Sequence, residues 1–106
     1  AHGDTPAAGV AAKAGQMRTF SSNLTVTRAD HAGLYLVATG GMTFNLPATP
    51  HRGEQYIIMS NTTGTVTISA NGSDTMNGST SNQTITTRYE AKTCIAVGSS
   101  EWIVLG

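Results

Sequence analysis

Along MTFNL (42–46) apolar and polar positions alternate, so that Met42, Phe44 and Leu46 face one side of an extended chain and Thr43 and Asn45 the other. TVTIS (65–69) repeats the pattern, with Val66 and Ile68 as the apolar set and threonines between them. Three further runs, YIIM (56–59), CIAV (94–97) and WIVL (102–105), are apolar at every position. That is the mark of strands that lie centrally in a sheet or against a second chain. The pattern predicts strands at 23–28, 34–38, 42–46, 56–60, 65–70, 84–89, 93–97 and 102–105.

Turn residues separate these runs. They are Gly-Gly at 40–41, Thr-Gly at 63–64, Asn-Gly at 71–72 and 77–78, and Gly-Ser-Ser at 98–100. Pro47 and Pro50 bracket a corner whose proline nitrogens donate no ladder hydrogen bond. After Ser21 no stretch supports a helix of more than a turn or two. The expectation is an all-β fold, a small sandwich or barrel of about eight short antiparallel strands. The tract SANGSDTMNGSTSNQT (69–84) reads as a long polar excursion at its surface.

Residues 1–20 differ in kind. Alanines and glycines alternate there, and glycine costs a helix up to about 1 kcal/mol per residue. This segment is expected to form an extended Gly/Ala-rich arm, followed by a β-rich assembly domain over residues 21–106. Nineteen residues of extended chain reach about 65 Å, enough to lie along a neighbouring subunit.

Charge narrows the functional classes. Asp, Glu, Lys and Arg make up 11% of 106 residues and balance to a formal charge of zero. The surface therefore offers no pull on nucleic acid or an anionic membrane, and little of the repulsion that keeps proteins apart. A single cysteine, Cys94, has no intramolecular disulfide partner, which fits synthesis in a reducing cytoplasm.

Candidate chemistry is sparse. His2, His31 and His51 lie far apart and carry no metal-ligand spacing, so a solvent-exposed loop position is expected for His31 and His51. Asp30-His31 invites comparison with a catalytic dyad, but no serine stands in a G-x-S-x-G turn. TRADHAGLY reads as a bend instead, with Asp30 capping a turn before Gly33. The six acids form no recognisable pair for sugar cleavage, and phosphate-binding loops are absent. No catalytic residue, metal site or cofactor is expected. Carbohydrate binding has its residue types in Tyr35, Tyr56, Tyr89 and Trp102, although each lies within a strand pattern.

At 24–105 the motifs resemble a domain of bacteriophage structural proteins. They are LTVTRADHAGLYLVATGGMTFNLPATP, then a Gly-containing bend, the run NTTGTVTISANG, a polar loop and a closing EWIVLG. The resemblance implies a trimeric, β-rich virion part, made in the host cytoplasm. A small arm before a compact body is similar to capsid cement or decoration proteins. On that likeness the chain is expected to form a homotrimer and to bind the major capsid protein or another virion protein, with no nucleic acid or membrane partner. Docking would fall to Thr5, Pro6, Val10, Lys13, Met17, Arg18 and Phe20 in the arm. Met42, Phe44, Leu46, Ile58, Val66, Ile68, Ile95, Trp102 and Val104 would build the core or the trimer interface. The alternative is a short fibre knob or tip that binds a host-surface glycan through the 71–83 loop, with Asn71, Asp74, Asn77 and Asn82 in contact.

Overall fold

The computed structural model of the chain describes residues 16–106. Thr5, Pro6, Val10 and Lys13 of the expected docking arm lie outside them. Among the described residues are ten short strands and one helical turn. The first seven elements are β1 (Met17–Phe20), β2 (Leu24–Thr25), α1 (Arg28–His31), β3 (Tyr35–Ala38), β4 (Met42–Asn45), β5 (Gln55–Ser60) and β6 (Val66–Ser69). Then come β7 (Thr75–Met76), β8 (Gln83–Ile85), β9 (Ala91–Gly98) and β10 (Glu101–Leu105).

They form two sheets, one ordered β1-β3-β5-β9-β10-β7 and the other β2-β4-β6-β8. Up to β6 the chain crosses from one sheet to the other with every strand. Each strand therefore lands beside the one two earlier, in parallel. Met17 pairs with Tyr35, Tyr35 with Ile57, Leu24 with Phe44 and Met42 with Val66. The first half is thus a flattened coil of short turns. β8, β9 and β10 then reverse direction, β8 against β6, β9 against β5, and β10 back along β9.

The all-β class agrees with the sequence pattern and each expected strand has a counterpart, but the expected 84–89 strand ends at Ile85, which leaves Tyr89 in a turn, and the pairing direction also differs. Five of the eight strand pairs are parallel. Alternation fixes which face a side chain takes and is blind to the direction of the neighbouring strand. Two strands were also unforeseen. β1 draws Met17, Arg18 and Phe20 out of the expected arm into the edge of the larger sheet, and β7 interrupts the 69–84 excursion.

The core lies between the sheets. Met42, Phe44, Leu46, Val66 and Ile68 point into it from the smaller sheet, and Leu36, Tyr56, Ile58, Cys94, Trp102 and Val104 from the larger. Phe20 meets Phe44 edge-on at 6.0 Å, and the Tyr56 and Trp102 rings lie 5.9 Å apart. Where successive coils turn into β4 and β6, Gly41 and Gly64 touch backbone to backbone. A Cβ on Gly64 would come within 3.0 Å of the Gly41 nitrogen.

Candidate functional site

The Leu-Pro corner opens into a cleft of about 530 Å³, lined by Thr25 to Arg28, Asn45 to Ala48 and Ala70 to Gly72. Its one charged side chain is Arg28, and that charge is committed elsewhere. The guanidinium grips Glu54 through two contacts, Nε to Oε2 and a second terminal nitrogen to Oε1, both 2.8 Å. The same terminal nitrogen donates to the carbonyls of Ala48 at 3.3 Å and Thr49 at 3.1 Å. Glu54 also accepts from the His51 backbone N–H and, at 2.6 Å, from the Tyr56 hydroxyl. Burial alone would raise the Glu54 pKa, yet Arg28, His51 and Tyr56 together hold it below the ordinary value. Burial first, then the Glu54 hydrogen bond, raises the Tyr56 phenol well above its usual range. A carboxylate with this many donors is a clamp, and no aromatic ring lines the cleft to stack on a sugar. The corner joins α1, the proline bend and the start of β5.

His31 is buried rather than exposed, at 5% accessibility. Its Nδ1 accepts from the Thr27 backbone N–H at 2.9 Å, and its ring stands edge-on to Phe20 at 5.8 Å. Desolvation, helped by Arg18, lowers its pKa. The local reason is α1 itself, a single turn that folds residue 31 back under residue 27. The turn has no side-chain cap, contrary to the expectation for Asp30, whose carboxylate instead accepts from the Thr27 hydroxyl at 3.1 Å. His51 is exposed, as expected. Among the described residues no group of three His, Cys, Asp or Glu side chains converges as a metal site would require.

Of the four residues of the alternative receptor loop, Asn77 is exposed but hydrogen-bonded to β10, and Asp74 is half-buried. Asn77 pairs with Val104 through both atoms of its amide, and Asp74 has a carboxylate oxygen buried without a hydrogen-bond partner. Asn71 and Asn82 are also exposed, Asn71 at the rim of the corner cleft.

The outer faces of the two sheets are unlike. On the smaller sheet the outward rows are Thr43–Thr67–Thr84 and Thr25–Asn45–Ser69, all short and polar. On the larger sheet one outward row reads Met17, Tyr35, Ile57, Thr93 and Leu105, and the next Thr19, Val37, Met59 and Ala91. A third row carries Gln55, Ile95 and Ile103. Met17 is 60% exposed and Leu105 53%. Beside β1, a groove of about 290 Å³ runs between Met17, Val37, Met59 and Tyr89. Tyr89 is 76% exposed, sits at φ +74° and is stacked by Arg88, whose guanidinium carbon lies 4.8 Å from the ring centre. A tyrosine in left-handed backbone costs on the order of 1 kcal/mol or more, and such strain clusters at functional sites.

Eight of the nine expected core or interface residues are core: Met42, Phe44, Leu46, Ile58, Val66, Ile68, Trp102 and Val104 are buried between the sheets. Ile95 is the exception and belongs to the apolar outer face. Tyr35 and Tyr89 entered the sequence reading only as residue types for carbohydrate binding, and Ile57, Met59, Ile103 and Leu105 only as members of uniformly apolar runs. The uninterrupted apolarity of YIIM and WIVL was the signal for four of them. No protein-family model matches the chain, and no curated protein matches it. Among the described residues, no helix is long and apolar enough to cross a membrane.

Proposed function

We infer that the chain is a structural protein of a bacteriophage virion, a capsid cement or decoration protein that acts as a trimer. It would bind the major capsid protein or another virion protein and stabilise the shell. The observation that supports this reading is the division of its surface. One broad face carries tyrosine, isoleucine, methionine and leucine, and the opposite face carries threonine, serine and asparagine. Monomeric soluble proteins rarely leave an apolar patch of more than a few hundred Å² uncovered. A chain with zero formal charge adds little repulsion to oppose association. The motif resemblance over residues 24–105 supplies the virion setting.

Immunogold electron microscopy on purified virions, with antibody against this chain, tests the reading. Label distributed over the icosahedral head is the expected result. Label confined to the tail or to projecting fibres would favour the glycan-binding knob, and particles without label would overturn the virion assignment.

A further inference from the structure

Met17 and Leu105 are the two most exposed large aliphatic side chains among the described residues, and they stand at opposite ends of one cross-strand row. The register runs Met17, Tyr35, Ile57, Thr93, Leu105 across β1, β3, β5, β9 and β10. Their separation is four strand spacings, about 19 Å. Both point away from the core, since their sequence neighbours Val104 and Leu36's partner Arg18 lie on the other face. A rotation about an axis parallel to the strands keeps height, so it brings one end of this row in one copy level with the other end in the next copy.

We propose that the apolar outer face of the larger sheet is the self-association surface of this chain, with the Ile103–Leu105 edge of one copy seated in the Met17–Tyr89 groove of the next, closing a ring of three. This rests on the trimeric reading above and names its contact. The occupant is a second copy for three reasons. First, the strand positions facing out on β3, β5 and β9 carry no charge, and the charges at the margins of the face are Glu101 on β10 and Arg88 on the Tyr89 ring. A copy packed on a copy therefore brings no like charges together across the middle of the sheet, while a strongly charged partner would find only these marginal charges to pair with. Second, the shapes differ at the two ends, an exposed ridge at β10 and a groove of about 290 Å³ at β1. A face with unlike ends makes a head-to-tail contact, and such contacts close into rings when the rotation permits. Third, the area required is modest. A standard interface removes about 800 Å² from each partner, about a seventh of the chain's 5603 Å².

Tyr89 is the anchor at the far side of the groove. Its backbone is held at a φ of +74°, and the Arg88 guanidinium stacks on its exposed ring. The Tyr89 N–H donates to the Ser60 carbonyl at 2.7 Å, so its position is set by β5. A rigid aromatic loses little entropy when a partner lands on it.

Sedimentation velocity and cysteine cross-linking on the full chain test the proposal. The wild type is expected to sediment as a trimer of the 11.0 kDa chain. Leu105→Asp and Met17→Asp are each expected to sediment as monomers that keep the wild-type far-ultraviolet circular dichroism. In a Cys94→Ala background, the double variant Met17→Cys/Leu105→Cys is expected to give a covalent trimer on oxidation, with each single variant remaining a monomer on a non-reducing gel. Dimers from Leu105→Cys alone would place like residues together and overturn the head-to-tail contact. A ladder beyond the trimer would overturn the closed ring. A monomeric wild type would overturn the whole proposal, whether residues 1–15 or another protein then covers the face. Virion label with a monomeric chain would leave the virion reading standing without this contact; a trimer with no label on particles would do the reverse.

Discussion

Asn77 takes the place of a strand beside Val104. Its amide nitrogen donates to the Val104 carbonyl at 3.1 Å, and its amide oxygen accepts from the Val104 N–H at 2.8 Å. β7 pairs with β10 only through Thr75 and Met76, and the side chain extends the ladder by one residue. The exposed end of β10 is blunted in this way without a further strand.

Replacing Asn77 by Ala removes both bonds and leaves a side chain at φ +54°, where Asn is tolerated better than Ala. The expected loss is about 1–3 kcal/mol in urea unfolding. Asn77→Gly keeps the backbone at ease and isolates the hydrogen bonds. If that variant unfolds at the wild-type urea midpoint, the amide contributes nothing.

Glu54 is the centre of the corner, and its replacement by Ala is expected to cost about 1–3 kcal/mol, because four donor groups on three residues lose their acceptor. The acid dependence follows from the direction of its pKa. The folded value lies below the ordinary 4.5, so the stabilisation is complete above that pH and drains away as pH falls through the folded value. Urea midpoints at pH 6 and pH 3.5 should differ more for the wild type than for Glu54→Gln. Equal differences would mean that the carboxylate is not the group responsible.

Much of the fold was legible in the sequence because burial writes itself as period two. MTFNL and TVTIS put Met42, Phe44, Leu46, Val66 and Ile68 inside, and the structure buries all five. Strand direction left no such trace, since Tyr35–Ala38 would read the same beside a parallel or an antiparallel β5. Met17–Phe20 was hidden by the Gly/Ala composition before it and by a burial pattern without alternation. The apolar outer face was half visible. WIVL and YIIM are apolar throughout, but only the register shows that Ile103 and Leu105 share a surface with Ile57 and Met59. Asn77 and His31 were illegible for a common reason: a polar residue in a loop says nothing of its partner until the chain is folded.

His31 sets a second pH window, above that of Glu54. Burial, with Arg18 nearby, depresses its pKa from 6.5, while Asp30 acts against the shift. The unfolded chain therefore binds more protons between the folded value and 6.5, and stability rises with pH across that interval. It is present in full above about pH 6.5 and is lost as pH falls through the folded value. The wild type should show a lower urea midpoint at pH 5.5 than at pH 7.5, and His31→Gln should flatten the difference. A slope unchanged in that variant would move the effect to another group.

Cys94 lies on β9 between β5 and β10, opposite Tyr56 and Val104, with no accessible surface. Desolvation pushes its thiol up to about 12, with Lys92 only partly offsetting it. Almost none of it is thiolate near neutral pH, and thiolate is the reactive form. A thiol reagent can reach the sulfur only after two ladders of the central sheet open, so labelling reports on that opening. The native protein at pH 8 should remain unlabelled by a disulfide reagent over a period in which the urea-unfolded chain reacts to completion. Cys94→Ala removes one sulfur from the core, whereas Cys94→Ser also buries a hydroxyl and should cost about 1–3 kcal/mol. Rapid native labelling, together with equal stability of the Ser variant and the wild type, would mean that β9 is not held between its neighbours in solution.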